Sequence, residues 1–213
     1  MITTVYISRH SQSFRDLLGE YNVNEIEQIR NEKNPLSVNG EKRAQVMSNI
    51  QELHDIDILY SSHYVRVMAT AKYIAENNNI KLNVDERLGE RRFGIDRIEK
   101  LPKDFFEKQF KDWNYKLING ESLNEVKSRM LEVIFEIIDN DKGKKIMLLS
   151  HGTALTTMLS KWCDTRYNDE SKLVEIYFKN KLVFPGNWQA PELFKLTFDE
   201  RELIDIENIK IEY

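Results

Sequence analysis

The chain has 213 residues, 41% of them hydrophobic and 31% charged, with a net charge of −4. These values fit a globular unit and leave no basic footprint for a nucleic-acid partner. The one cysteine, Cys163, excludes an internal disulfide, and with no long apolar run and no secretory leader in "MITTVYIS" the sequence is expected to be cytoplasmic, with no membrane partner.

Strands and helices alternate along the chain. "TTVYIS" reads as a strand, and "PLSVNGEKRAQVMSNIQEL" as a helix with Ser37 near its N-cap and Val46, Ile50 and Leu53 on its inner stripe. "IDILYSS" is a second apolar strand, followed by a helix from about Tyr64 to Glu76 that buries Val67, Ala71, Ile74 and Ala75. The segment from Glu99 to Gly120 is expected to be a helix carrying Phe106, Phe110, Trp113 and Leu117 on one face. In "SLNEVKSRMLEVIFEIID", Ser122 and Glu125 form a capping box ahead of a core stripe. "KKIMLLS" is a third apolar strand, and "TALTTMLSKW" a helix packing through Leu155, Met158, Leu159 and Trp162. The stretch from Asp164 to Ala190 has no clear pattern, although "KLVEIYF" has strand character, and "ELFKLTFD" with "ELIDIENI" predicts an edge hairpin. Apolar strands alternating with amphipathic helices predict an α/β fold: a three-layer α/β/α sandwich with a mostly parallel central sheet and a C-terminal antiparallel edge. No repeat or linker divides the chain, so residues 1–213 are expected to form one domain with a small helical lid around 95–120.

The three strong strands end alike. The first ends in Ser8-Arg9-His10, the second in Ser61-Ser62-His63 with Arg66 a turn later, and the third in Ser150-His151-Gly152. In open α/β sheets ligands bind at the carboxyl ends of the strands, so three of the four histidines and two arginines fall on one rim. The fourth histidine, His54, sits beside Asp55 at a helix end and is expected to be exposed. Guanidinium forks suit the paired oxygens of phosphate or carboxylate. A neutral imidazole can attack phosphorus or carbonyl carbon. "ERLGERRFG" offers Glu90 as a proton donor in a loop-like segment.

These residues resemble the histidine phosphatase superfamily, the phosphoglycerate mutase-like proteins. Arg9-His10-Ser11 stands where that family has Arg-His-Gly, and Ser61-Ser62 with Arg66 and Thr70-Ala71 resembles its second block. Leu88-Gly89-Glu90 with Phe93-Gly94, Gly120-Glu121-Ser122 with Arg129, and Ser150-His151-Gly152 follow in the family's order, and Pro35 to Gly40 resembles its first helix start. The resemblance spans roughly residues 3–163. It implies His10 as nucleophile through a transient phosphohistidine, and Glu90 as acid and then base. Arg9, Arg66 and His151 would hold the phosphoryl oxygens, with Ser13 and Gly152 in the substrate pocket. It implies no cofactor and no metal. Ser11 departs from the family's glycine and Asp16 from a frequent asparagine; neither is given a binding role, with Arg15 as a candidate to neutralise Asp16.

Plainer roles compete at several positions. His63 reads as structural or as part of the rim, Glu121 and Arg129 as helix-start and packing residues, and Glu90 alone could be a surface partner of Arg91 or Arg92. A zinc site on His10, His63 and His151 lacks ligand spacing and is opposed by the adjacent arginines. The resemblance implies a phosphoric monoester hydrolase of histidine acid phosphatase type, acting on a small phosphorylated metabolite. Because the insertion that glycolytic mutases carry between Gly94 and Gly120 is absent, the phosphatase reading is preferred to a mutase-type phosphoryl transferase. A non-catalytic phospho-ligand module is the third reading. The sequence does not set the oligomeric state.

Overall fold

The computed structural model describes residues 1–14 and 25–213. The first strand, β1 (Ile2–Arg9), is rich in β-branched residues and runs through the interior of the main sheet. Two short helices follow the undescribed segment, α1 (Glu27–Lys33) and α2 (Val38–Ser48), the second capped by the Ser37 side chain accepting from the Gly40 N–H. Next come β2 (Ile58–Ser61), α3 (Val65–Asn78) and β3 (Leu82–Val84). The middle of the chain holds α4 (Phe105–Lys111), α5 (Leu123–Asn140), β4 (Lys145–Ser150) and α6 (Gly152–Leu159). The last part is all strand: β5 (Asp164–Asn168), β6 (Leu173–Phe178), β7 (Lys181–Phe184), β8 (Glu192–Asp199) and β9 (Glu202–Ile209).

The main sheet has the order β3-β2-β4-β1-β8-β9. Its first four strands are parallel, and β8 and β9 add the antiparallel edge. Each face carries its own core, as a fully buried parallel sheet requires. Val5, Ile7, Ile146 and Leu148 pack with Val126, Met130 and Ile134 of α5 and Leu155 and Met158 of α6. Tyr6, Met147 and Leu149, pointing the opposite way, pack with Met47 of α2 and Val67, Ala71 and Ile74 of α3. The result is the expected three-layer sandwich.

Register sets the level of the rim. Arg9 lies beside Ser150, and Ser61 beside Leu149. The ladder extends one step further, through His10 N–H to the Ser150 carbonyl (3.1 Å) and Ser62 N–H to the Leu149 carbonyl (3.0 Å). His10, Ser62 and His151 therefore leave the sheet at one height.

Two details differ from the sequence expectation, and one unassigned stretch is resolved. Helix α2 turns Ala44 and Met47 inward and leaves Val46 40% exposed, because Gly40 must press against the Gln12 backbone and so fixes the buried face. The long helix expected between Glu99 and Gly120 is only α4, and its inward residues are Phe105 and Gln109 while Phe106 is 47% exposed. Pro102 precedes it, and at its end the Asp112 side chain accepts from the Asn114 N–H, a local turn that competes with helix. The unassigned stretch forms a separate sheet, β5-β6-β7, with "KLVEIYF" as its central strand.

The capping box is formed, with Ser122 Oγ accepting from the Glu125 N–H and Glu125 accepting from the Ser122 N–H. Ser122→Ala is expected to lower the unfolding free energy by about 1 kcal/mol in urea melts, and Ser122→Asp by a fraction of that.

Candidate active site

His10 follows the end of β1 and is 7% exposed. Its Nδ1 lies 2.7 Å from the Ser11 carbonyl, an acceptor only, so Nδ1 carries the hydrogen and Nε2 keeps its lone pair. Arg66 Nε donates to that Nε2 at 3.0 Å. Arg66 itself, in the first turn of α3, is buried, and its Nη2 lies 3.2 Å from His151 Nδ1. Since the guanidinium only donates, His151 must carry its hydrogen on Nε2, which faces Ser62 Oγ at 3.0 Å. A third fork nitrogen of Arg66 donates to the Asn31 carbonyl of α1, which fixes the plane of the group. The two imidazoles stand edge to face with ring centres 5.3 Å apart, and Tyr64 packs on His151 at 4.5 Å.

Burial, then the Arg66 and Arg9 cations, hold His10 well below the usual imidazole pKa, and burial with Arg66 and His10 does the same to His151. Both rings are neutral at neutral pH, the form in which His10 can act as a nucleophile. Arg9 ends β1, and its Nη1 donates to the Trp188 (2.8 Å) and Gln189 (3.3 Å) carbonyls, which leaves Nε and Nη2 for a ligand. Gly152 opens α6 so close to the Trp188 indole that a Cβ would sit 3.3 Å from it.

Glu90 comes from the loop after β3, well away in sequence from both histidines. One carboxylate oxygen accepts from the Arg91 N–H (2.9 Å) and the Ala154 N–H (3.2 Å), and the other from the Thr153 N–H (3.4 Å), which places it over the start of α6. A cleft of about 270 Å³ opens beside it, walled by Glu90, Gly89, Tyr64, His63, Gln28 and Glu32 among others. Tyr64, whose ring packs on His151, stands between this cleft and the His10–Arg66–His151 group, whose side chains do not line it.

The expected residues thus meet as one cluster, with two qualifications. Ser13 is half-buried and pairs through its backbone with Leu36, and Arg15 and Asp16 lie outside the described residues. His63 lines the cleft, with Nε2 3.6 Å from the Glu32 carboxylate and a buried Nδ1 that has no partner among the described residues. Sequence reasoning missed the Trp188 loop that holds Arg9, since carbonyls leave no side-chain signal. The surface pairing of Glu90 with Arg91 is not formed: Arg91 is buried, its guanidinium 4.7 to 5.5 Å from the ring centres of Phe93, Phe105 and Phe106 and donating to Gln109.

Ser11 turns away from the cluster. Its N–H donates to Thr70 Oγ1 (3.0 Å) and its hydroxyl to the Gly40 carbonyl on α2 (2.7 Å). Ser11→Ala is therefore expected to lower stability by about 1 kcal/mol in urea melts, with the dissociation constant for inorganic phosphate unchanged by calorimetry.

Residues 5–174 match the model of the histidine phosphatase superfamily, branch 1. Over 166 residues the chain is 29% identical to a probable phosphoglycerate mutase GpmB of Yersinia enterocolitica, covering 73% of each protein. In fold it resembles a mycobacterial glucosyl-3-phosphoglycerate phosphatase (TM-score 0.69, 16% identity, 98% and 97% of the two chains). It also resembles a phosphoserine phosphatase of Entamoeba histolytica, crystallised with 3-phosphoglyceric acid (TM-score 0.65, 18% identity, 98% of each chain). The family match runs from β1 into β6 and covers most of the chain, including the segments that carry His10, Arg66 and His151, so the chain belongs to the histidine phosphatase superfamily.

Proposed function

We propose that the protein is a phosphomonoester hydrolase of histidine acid phosphatase type that works through a phosphohistidine on His10. The observation that carries this reading is the tautomer of His10: Nδ1 is committed to the Ser11 carbonyl, so the lone pair on Nε2 points at the Arg66 fork, where a phosphoryl oxygen would bind. Arg9 and Arg66 supply permanent positive charge for the phosphoryl oxygens, and His151 lies beside them.

In the first step Nε2 of His10 bonds to phosphorus as the ester P–O bond breaks. Protonated Glu90 gives its proton to the leaving oxygen, which departs as a neutral alcohol. In the second step water attacks the phosphohistidine, Glu90 takes the water's proton, and the N–P bond breaks to release inorganic phosphate. The sum is one ester and one water converted to one alcohol and one phosphate, with Glu90 protonated again. Positive charge from side chains does the work that a metal ion does in other phosphoryl-transfer sites. The residues around 95–120, with α4 at their centre, would form the lid over the cleft, and the substrates of the structurally similar phosphatases favour a small phosphorylated metabolite.

A phosphoglycerate mutase is the second reading, favoured by the name of the Yersinia relative. The short span between Gly94 and Gly120, holding little beyond α4, favours the hydrolase. Phosphate release from 4-nitrophenyl phosphate and a panel of metabolite phosphates, run beside a mutase assay, decides between them. Activity is expected to withstand EDTA and to fall by at least about a hundredfold in His10→Ala. Retention of activity in that variant would sink the phosphohistidine mechanism.

The depressed histidines make a pH prediction. Below the ordinary imidazole value of 6.5 the unfolded chain binds protons that folded His10 and His151 refuse, so stability rises with pH through that window and falls as pH drops below it. Urea midpoints of the phosphate-free protein should fall between pH 7.5 and 5.5, and less steeply in His10→Ala. The acid limb of kcat/KM should lie below 6.5 for the same reason.

A further inference from the structure

Arg129, on the second turn of α5, lies at the back of the Glu90 loop and makes five hydrogen bonds, one for each N–H it owns. Nη1 donates to the Arg87 carbonyl at 2.6 Å and the Gly89 carbonyl at 2.8 Å. Nη2 donates to the Glu90 carbonyl at 3.2 Å and to Glu121 Oε2 at 3.1 Å, and Nε to Glu121 Oε1 at 2.9 Å. Three carbonyls of one loop thus converge on one cation. Without it they would repel one another and be left as poorly satisfied acceptors.

Glu121 completes the clamp from the other side. It is 6% exposed, and besides pairing with Arg129 it accepts from the Arg92 N–H at 2.9 Å. Its own N–H donates to the Arg92 carbonyl, and its carbonyl accepts from Gln109 of α4. The two chain segments press so closely that a Cβ on Gly94 would lie 2.2 Å from the Gly120 nitrogen. Every one of these bonds is to backbone or carboxylate on either side of Glu90, and none reaches His10, Arg66 or His151.

We infer that Arg129 and Glu121 are a positioning pair that fixes where the Glu90 carboxylate stands relative to the leaving oxygen, separately from the groups that bind and attack the phosphoryl group. The inference rests on the reading of Glu90 as the acid. It has a signature that general loss of structure lacks. Departure of an acidic phenol needs little proton assistance, whereas an alkyl alcohol needs Glu90 placed within hydrogen-bond reach. Weakening the clamp should therefore damage alkyl esters selectively. Because kcat/KM covers only the steps up to the departure of the alcohol, it isolates this effect from the later attack by water.

The test measures kcat/KM for 4-nitrophenyl phosphate and for the best alkyl phosphate of the panel, in the full-length protein. In Arg129→Lys, which keeps the charge and loses the fork, the alkyl ester should lose on the order of tenfold or more while the aryl ester loses less than about threefold. Glu121→Gln, which keeps the shape but turns a donor toward Arg129 or the Arg92 N–H, should shift the ratio the same way. It serves as the second probe if Arg129→Lys unfolds, which thermal melts will reveal. Parallel loss on both esters, or no loss on either, in a folded variant would overturn the inference. Glu90→Gln separates the two levels of the argument. If it changes the ester ratio and the clamp variants do not, the inference fails alone; if it leaves the ratio unchanged, or the unaltered protein hydrolyses neither ester, the reading of Glu90 falls and the inference with it.

Discussion

A guanidinium held between two buried imidazoles is the contact on which the cluster depends. Arg66 cannot lose its charge, so protonating either His10 or His151 would set a second positive charge about 3 Å away in a medium that screens poorly. Both rings stay neutral, and each is driven into one tautomer because Arg66 only donates. A polyanionic ligand would shift that balance by setting negative charge beside the rings and the guanidinium.

That contact exists because parallel pairing brings distant residues to one level. Arg9 is beside Ser150 and Ser61 beside Leu149, so the residues that follow emerge together above two helix N-termini. Each basic group is then held from the rear by backbone carbonyls: Arg66 by Asn31, Arg9 by Trp188 and Gln189, and His10 by Ser11. Carbonyl acceptors fix direction without cancelling charge.

The residues proposed for attack and for proton donation come from different parts of the scaffold. His10, Arg66 and His151 sit on the ends of sheet strands and the helix that follows. Glu90 sits on a loop pinned to β4 by the Ser150 hydroxyl on the Leu88 carbonyl (2.7 Å), to α5 by Arg129, and to α4 by Arg91 and Gln109. Gly94, at φ +78°, and Gly120 let this loop lie flush on the start of α5. Through Gln109, helix α4 thus hydrogen-bonds both the Glu90 loop and Glu121.

Much of this was legible in the sequence by itself. Continuous apolar runs and 3.6-period stripes marked β1, β2, β4, α3 and α5, because burial on both sheet faces leaves a strong compositional trace. The rim residues His10, Arg66 and His151 stood out because cations and imidazoles at strand ends have no packing purpose. What only the tertiary structure decided was orientation. The serine at position 11 faces α2 because Gly40 offers its carbonyl there, and α2 buries Met47 where the stripe suggested Val46. The helix expected over Glu99 to Gly120 shortened to α4 because turn contacts outcompeted its periodicity. Arg91 and Arg129 read as surface or packing residues, since nothing local says that one will enter an aromatic cage and the other will collect the carbonyls of a loop some forty residues away. Local propensity and burial are written in residue types along the chain, whereas the direction of a side chain is set by acceptors that distant backbone brings to it.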